Sequence, residues 1–280
     1  MFGFLNIYKP KGMTSHDVVA VLRKITKIRQ IGHTGTLDPF AEGVLPICIG
    51  KATRLIEYLE DDKEYLATVQ FGKNTTTYDI EGEVSECFEN KITQNDLELA
   101  LDSFRGEIVQ LPPIYSAIKV NGKKLYEYAR KGEDVEIKPR KVIISKLELK
   151  YFDYEKQTAE LLITCSKGTY IRSIAFDLGQ KLKCGGYLTK LIRTKAGAFT
   201  IDKSIKLDGI NVKENLINPL DIMRLNKVEI SENEHQKILH GQAIENNTKY
   251  VDFVILIYND NISAIGYADK SMIKVKKVFL

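Results

Sequence analysis

The chain predicts an α+β fold with a small β-rich C-terminal part, and three patterns in its 280 residues predict it. Residues 64–71 alternate, with Tyr65, Ala67, Val69 and Phe71 on one face, which is a strand signal. Residues Val18, Val21, Leu22, Ile25 and Ile28 repeat at the helical period instead. Beyond residue 220 the strand-like runs Tyr250–Tyr258, Ile262–Ala268 and Met272–Leu280 follow one another across Asn/Asp turns.

In chain order, GFLNIYKPKG reads as a strand that ends in a turn at Lys9-Pro10-Lys11-Gly12. Thr14 or Ser15 caps the first helix. A glycine-rich loop follows, and Arg54–Leu59 looks helical. Thr93 caps a second helix with Leu97, Ala100, Leu101 and Phe104 on one face, ended by Gly106. The stretch LPPIYSAIKVNGKKLYEYARKG is a short β-like run, a turn at Asn121-Gly122 and a helix. Lys141–Tyr151 and Thr158–Cys165 pair as strands, and Ile171, Ile174, Ala175 and Leu178 mark a helix starting near Gly168, with Arg172 in its first turn. A polar stretch from Ser204 to Arg224, carrying Pro219, is a plausible boundary and divides 1–220 from 221–280. Ser231 and Glu234 then form a capping box for a helix ending at Gly241.

Composition narrows the function classes. The longest apolar runs, Val251–Tyr258 and Leu161–Cys165, are strand-length, so neither a membrane span nor a secretory signal is expected. Cys48, Cys87, Cys165 and Cys184 lack C-x-x-C spacing, and His16, His33, His235 and His240 form no ligand cluster, which favours a reducing, cytoplasmic setting and no metal. The net charge of +4 is too small to name a partner. Basic residues do cluster, at Lys119, Lys123 and Lys124, at Lys138, Arg140 and Lys141, and at Lys270, Lys274, Lys276 and Lys277, but only convergence in space would distinguish a nucleic-acid surface from solvated charge.

The most informative segment is IGHTGTLDPFAEGVLPICIGKATRL, which sets one acid, Asp38, in a loop rich in glycine. Gly32, Gly35 and Gly43 allow left-handed backbone, and Pro39 restricts Asp38 to extended geometry. Such a carboxylate is either an Asx-turn cap or a reagent, and spacing alone leaves both open. Gly50-Lys51 is not a P-loop, because Ala52 stands where the hydroxyl is required. Arg172, taken alone, reads more readily as a surface charge or a structural ion pair than as a functional partner.

Five segments in fixed order carry a resemblance: NIYKPKGMTSHDVV, GHTGTLDPFAEGVLPICIGKATR, KEYLATVQFGKNTTTYDIEGEV, LPPIYSAIKVNGKKLYEYARKG and CSKGTYIRSIAFDLGQKLKCGGYLTKLIRTKAGAF. Together they resemble the TruB family of pseudouridine synthases, which act on uridine 55 in the T loop of tRNA. The resemblance covers nearly all of residues 2–200. It implies a catalytic domain around an extended, mixed but mostly antiparallel sheet with RNA-binding insertions. LHGQAI and AIGYADKSMIKVKKVF resemble a compact PUA domain.

By the same resemblance, Asp38 of GTLDP is the essential aspartate, Tyr65 of KEYLA stacks on the target base and Arg172 of GTYIR pairs with the aspartate. Leu191 of YLTKLIR lines the pocket, His33 of GHTG helps hold the flipped nucleotide, and Lys9 and Pro10 support the catalytic loop. The implied chemistry suits these residue types. The uridine must be flipped out, at about a few kcal/mol, and the detached base kept from water. An aromatic platform returns roughly 1 to 3 kcal/mol per base, and a carboxylate ionised in an apolar pocket needs a counter-charge. Tyr65 is also a candidate relay for the proton lost from C5.

The reaction requires no cofactor and no nucleotide. The expected partner is the tRNA T stem-loop, with no membrane, and the chain is expected to act as a monomer. A second reading is an RNA-binding protein or tRNA-folding chaperone with a vestigial pocket, against which the retained Asp38 speaks. A third, a synthase acting on ribosomal or RNA-guided targets, fits the compact chain less well than the stand-alone bacterial form.

Overall fold

The computed structural model describes residues 1–279. Its elements, in order, are β1 (Gly3–Lys9), α1 (Ser15–Thr26), β2 (Ile31–His33), β3 (Glu42–Ile49), a 3₁₀ stretch (Gly50–Tyr58), β4 (Lys63–Phe71), β5 (Lys73–Thr75), β6 (Val84–Cys87) and α2 (Gln94–Leu101). There follow β7 (Gly106–Gln110), β8 (Lys119–Val120), β9 (Lys123–Lys124), α3 (Leu125–Lys131), β10 (Arg140–Asp153), β11 (Thr158–Cys165), α4 (Ile171–Lys181), β12 (Gly186–Ala196) and β13 (Phe199–Thr200). The last part holds α5 (Pro219–Ile222), β14 (Asn226–Glu229), α6 (Glu232–Leu239), β15 (Ile244–Glu245), β16 (Asp252–Tyr258), β17 (Asn261–Ala268) and β18 (Met272–Val278).

The main sheet runs β1-β3-β12-β4-β11-β10-β7, with β2 on β3 and β13 on β12. Its pairs are antiparallel except β12 with β3. The predicted α+β class and mostly antiparallel sheet are therefore observed. The alternation in residues 64–71 has a direct outcome: Tyr65, Ala67, Val69 and Phe71 are all buried. α1 packs Val18, Val19 and Leu22 into the same core, and Thr14 caps it in a reciprocal box with Asp17; of the expected apolar face, Ile25 is exposed and Ile28 lies past the helix end.

Other sequence readings change in detail. The second helix stops at Leu101, and Phe104 lies in a 3₁₀ turn held by Ser103 Oγ donating to the Ala100 carbonyl. Gly106, with φ +80°, opens β7 and so does not cap that helix. The polar stretch 204–224, read as a boundary, packs along β1. Ile205 and Ile217 hydrogen-bond the backbone of Asn6, Tyr8 and Phe4, giving the outer edge of β1 the partners it would otherwise lack. The expected final strand ends at Val278, and Leu280 lies outside the described residues.

The C-terminal sheet, β14-β16-β17-β18-β15, has the half-barrel form of a PUA-like domain. It packs on the main body: Ile255, Ile257, Ile265 and Phe279 share a core with Phe4, Val44, Cys48 and Leu55. Cys48, Cys165 and Cys184 are buried free thiols and Cys87 is exposed. Among the described residues no helix is long and apolar enough to cross a membrane.

One carboxyl of α4 carries a stability prediction. Burial pushes the Asp177 carboxyl up to about 6 from the usual 3.8. A folded-state value above the unfolded one stabilises below the unfolded value, and that contribution is lost as pH rises through about 6. Asp177 is partly exposed, so the full linkage energy does not apply. Asp177→Asn should raise stability at pH 7.5 by about 1 kcal/mol and flatten the decline between about pH 4 and pH 6 in thermal melts. An unchanged pH dependence would count against this.

Candidate active site

The loop between β2 and β3 is gripped on both sides of Asp38. Ser15, the first residue of α1, accepts from the Leu37 N–H at 2.8 Å and donates to the Leu37 carbonyl at 3.1 Å. Lys9, fully buried, donates through Nζ to the carbonyls of Met13 (2.6 Å), Pro10 (3.0 Å) and Pro39 (3.3 Å). Burial pushes the Lys9 ammonium down to about 8, with Asp38 the largest opposing influence. Of the three loop glycines, only Gly43 takes left-handed backbone, at φ +105°. A side chain there would strike the Arg193 backbone carbonyl.

Asp38 meets Arg172 in a two-pronged ion pair. Arg172 Nε lies 2.9 Å from Oδ2 and Nη2 donates to Oδ1 at 3.1 Å. The guanidinium also donates to the Tyr115 carbonyl (3.0 Å) and the Thr77 carbonyl (3.2 Å), and its Nη1 stands 3.5 Å from Asp79 Oδ2. Arg172 and Asp79 are nearly inaccessible, while the Asp38 side chain keeps about a third of its surface, turned into a cavity. Burial raises the Asp38 carboxyl above the usual range, the Arg172 charge opposes this, and Asp79 adds to the rise. The Asx-turn reading is thus displaced, since both carboxylate oxygens face a guanidinium.

The cavity holds about 320 Å³, enough for a flipped nucleoside. Its walls include Thr34, Gly35, Thr36 and Leu37 of the loop, Lys63 and Tyr65 of β4, Leu191 of β12, Ser116, and residues 166–172 leading into α4. Asp38, Tyr65, Arg172 and Leu191 are therefore brought together. Lys9 and Pro10 are not on the wall; Lys9 acts beneath it by holding Pro39. His33 ends β2 just before the lining begins, with Nδ1 buried and without a hydrogen bond, and burial depresses its basicity.

Sequence reasoning missed Asp79, Lys63 and Arg193. Asp79 sits in a tight turn, accepting from Thr77 Oγ1 (2.5 Å) and the Glu81 N–H (3.0 Å), and Tyr78 before it takes left-handed backbone while stacking on Phe176. Only the folded turn carries Asp79 to Arg172. Arg193 could have been found by alternation, since it lies two residues beyond Leu191 on the same inward face of β12. Within the basic clusters, Lys123 pairs with Glu133, Lys141 with Glu107, Lys274 with Asp269 and Lys277 with Glu57. These exposed pairs contribute little stability.

Residues 23–171 match the profile of the TruB family pseudouridylate synthase (N terminal domain). A protein of Caldanaerobacter subterraneus named tRNA pseudouridine synthase B is 45% identical over 282 residues, covering 99% of both chains. One of the same name from Carboxydothermus hydrogenoformans is 45% identical over 287 residues, covering 100% of this chain and 99% of the other. Among solved structures, a Cbf5-Nop10-Gar1 complex aligns with TM-score 0.74 and 27% identity, over 100% of this chain and 85% of that one. An H/ACA RNP bound to a substrate RNA containing 2′-deoxyuridine aligns with TM-score 0.73, 25% identity and the same coverage. The chain belongs to the TruB family of pseudouridine synthases. It is accordingly an isomerase, one that converts uridine in RNA to pseudouridine.

Proposed function

We propose that this protein isomerises uridine 55 in the T loop of tRNA, through Asp38, and assists tRNA folding as it binds. The observation that carries the reading is the Asp38–Arg172 pair on the wall of a cavity completed by Tyr65 and Leu191. The stand-alone tRNA substrate is favoured over an RNA-guided one by the relatives: those named tRNA pseudouridine synthase B match end to end at 45% identity, against 25–27% for the RNP structures.

In this reading the target uridine enters the cavity and stacks on Tyr65, with Leu191 shielding the base from water. The N1–C1′ bond breaks, a C5–C1′ bond forms, and one proton moves from C5 to N1. Asp38 serves as the reagent, attacking C1′ or C6, or removing the C2′ proton; a deuterium isotope effect at C2′ separates the routes. His33 and the loop fixed by Lys9 and Pro10 hold the nucleotide's surroundings. Beside the cavity, residues 116–132 interleave aromatic and basic groups, with Lys123 over Tyr128 at 4.7 Å and Arg130 over Tyr126 at 5.4 Å, a composition suited to RNA. Residues 1–220 form the catalytic part and 221–280 an RNA-binding part.

Incubating unmodified tRNA with the protein and mapping pseudouridine tests this. Product at position 55 is expected; product only elsewhere, or none, overturns it. Tyr65→Phe keeps the ring and removes the hydroxyl. It should leave RNA binding within about twofold and lower single-turnover rate by about 10²-fold, as expected of a lost proton relay. Wild-type turnover would leave Tyr65 with stacking alone.

A further inference from the structure

Gly35 lines the same cavity as Asp38, yet its backbone is not left-handed, so its missing side chain is a matter of space. A Cβ built there would stand 3.2 Å from Lys63 Cε, 3.7 Å from Arg193 Nη1 and 3.9 Å from Lys63 Nζ. Two cationic nitrogens thus converge on one small volume at the cavity wall.

Neither cation forms a close ion pair with a carboxylate among the described residues, although Asp61 and Asp62 act on Lys63 from further off. Arg193 is fully buried; Nε donates to the Val44 carbonyl (2.7 Å) and Nη2 to the Gly35 carbonyl (3.0 Å), while Nη1 is buried without a hydrogen bond. Lys63 Nζ donates to the backbone carbonyl of Asp61 at 3.0 Å. The nearby carboxylates are engaged elsewhere, Asp61 by Lys167 at 2.7 Å and Asp62 by Lys195 at 3.1 Å. Burying like charges together is costly unless an anion relieves them. The Lys63 ammonium shows that cost: burial, and then the Arg193 charge, depress its basicity despite the smaller opposing influence of Asp61 and Asp62.

We propose that the space over Gly35, between the Lys63 ammonium and the Arg193 guanidinium, is an anion subsite that takes a phosphodiester flanking the target uridine. Lys63 makes the contact, and Arg193 acts from behind the wall through its charge while holding Gly35 open. A phosphate seated there carries the nucleotide in the cavity by its backbone, whatever the base, and leaves base recognition to the Tyr65 side.

This rests on the proposed RNA substrate, and one experiment separates the two. T stem-loop RNAs are made with all phosphates intact or with a methylphosphonate at one or the other phosphate flanking the uridine. Each is titrated against the wild type, Lys63→Met and Lys63→Arg. Lys63→Met should raise Kd about tenfold or more, in line with loss of one charge-assisted contact, and Lys63→Arg should restore most of it. One of the two methylphosphonates should weaken wild-type binding by a similar factor and cost Lys63→Met nothing further. The subsite is refuted if Lys63→Met binds like the wild type, if both methylphosphonate penalties multiply with the mutation, or if Lys63→Arg fails to rescue while its melting matches the wild type. If the wild type forms no pseudouridine in the intact stem-loop, the function fails and the subsite with it; if it does, the cycle judges the subsite alone.

Discussion

Asp38→Asn should lower single-turnover pseudouridine formation by about 10³-fold or more while changing RNA affinity only a few-fold. The amide keeps the size of the carboxyl but can neither attack nor accept a proton, and removal of such a reagent is typically worth this much or more. The pocket should survive the change, because Arg172 keeps Asp79 and the carbonyls of Thr77 and Tyr115 as partners. Stability should change little as well. Burial already holds the Asp38 carboxyl above its ordinary range, so the amide relieves a desolvation cost as it gives up the ion pair. Rapid-quench sampling with saturating enzyme measures the rate, and filter binding measures affinity. Turnover within tenfold of the wild type would remove Asp38 from the chemistry.

The same acid shows what a sequence can and cannot disclose. Its loop was legible, since glycine and proline act through local backbone preference, and helix α1 was marked by a cap and a period that lie within a dozen residues. Tyr65 was legible because alternation in a strand assigns a face without knowledge of the neighbour. Arg172 was placed in the first turn of α4, where it is found. Its partner was not readable from spacing, because 134 residues separate it from Asp38 and only the resemblance joined them. Asp79 and Lys63 escaped for a related reason. Each lies beside residues that were singled out, but their roles depend on a turn and on two cations meeting across different strands, and no periodicity encodes such meetings. The polar stretch 204–224 suggests a boundary by its side chains, but the backbone pairing by which it completes the edge of β1 leaves no mark in composition.

Arg172→Met should be the more damaging change to the fold, costing about 3–5 kcal/mol at neutral pH, since it leaves the Asp38 and Asp79 carboxylates facing each other in a buried site without their shared counter-charge. The pH dependence follows from Asp38. Burial raises its folded-state value and Arg172 is the main influence holding that value down, so loss of the guanidinium moves it further up. A carboxyl with a raised folded-state value contributes stability below its unfolded value and loses it as pH climbs through the folded one. The variant should therefore melt higher at pH 5 than at pH 8, by a wider margin than the wild type. Activity should run the other way: the role proposed for Asp38 needs the ionised carboxylate, so the acid limb of kcat/KM should shift to higher pH. Asp79→Asn in the same background should recover part of the stability, because one of the stranded charges is gone, and should recover little turnover. Thermal melts across pH and a pH–rate profile measure these separately. A variant that unfolds like the wild type at pH 8, with its acid limb unmoved, would mean that Arg172 neither supports the buried carboxylates nor sets the charge of Asp38.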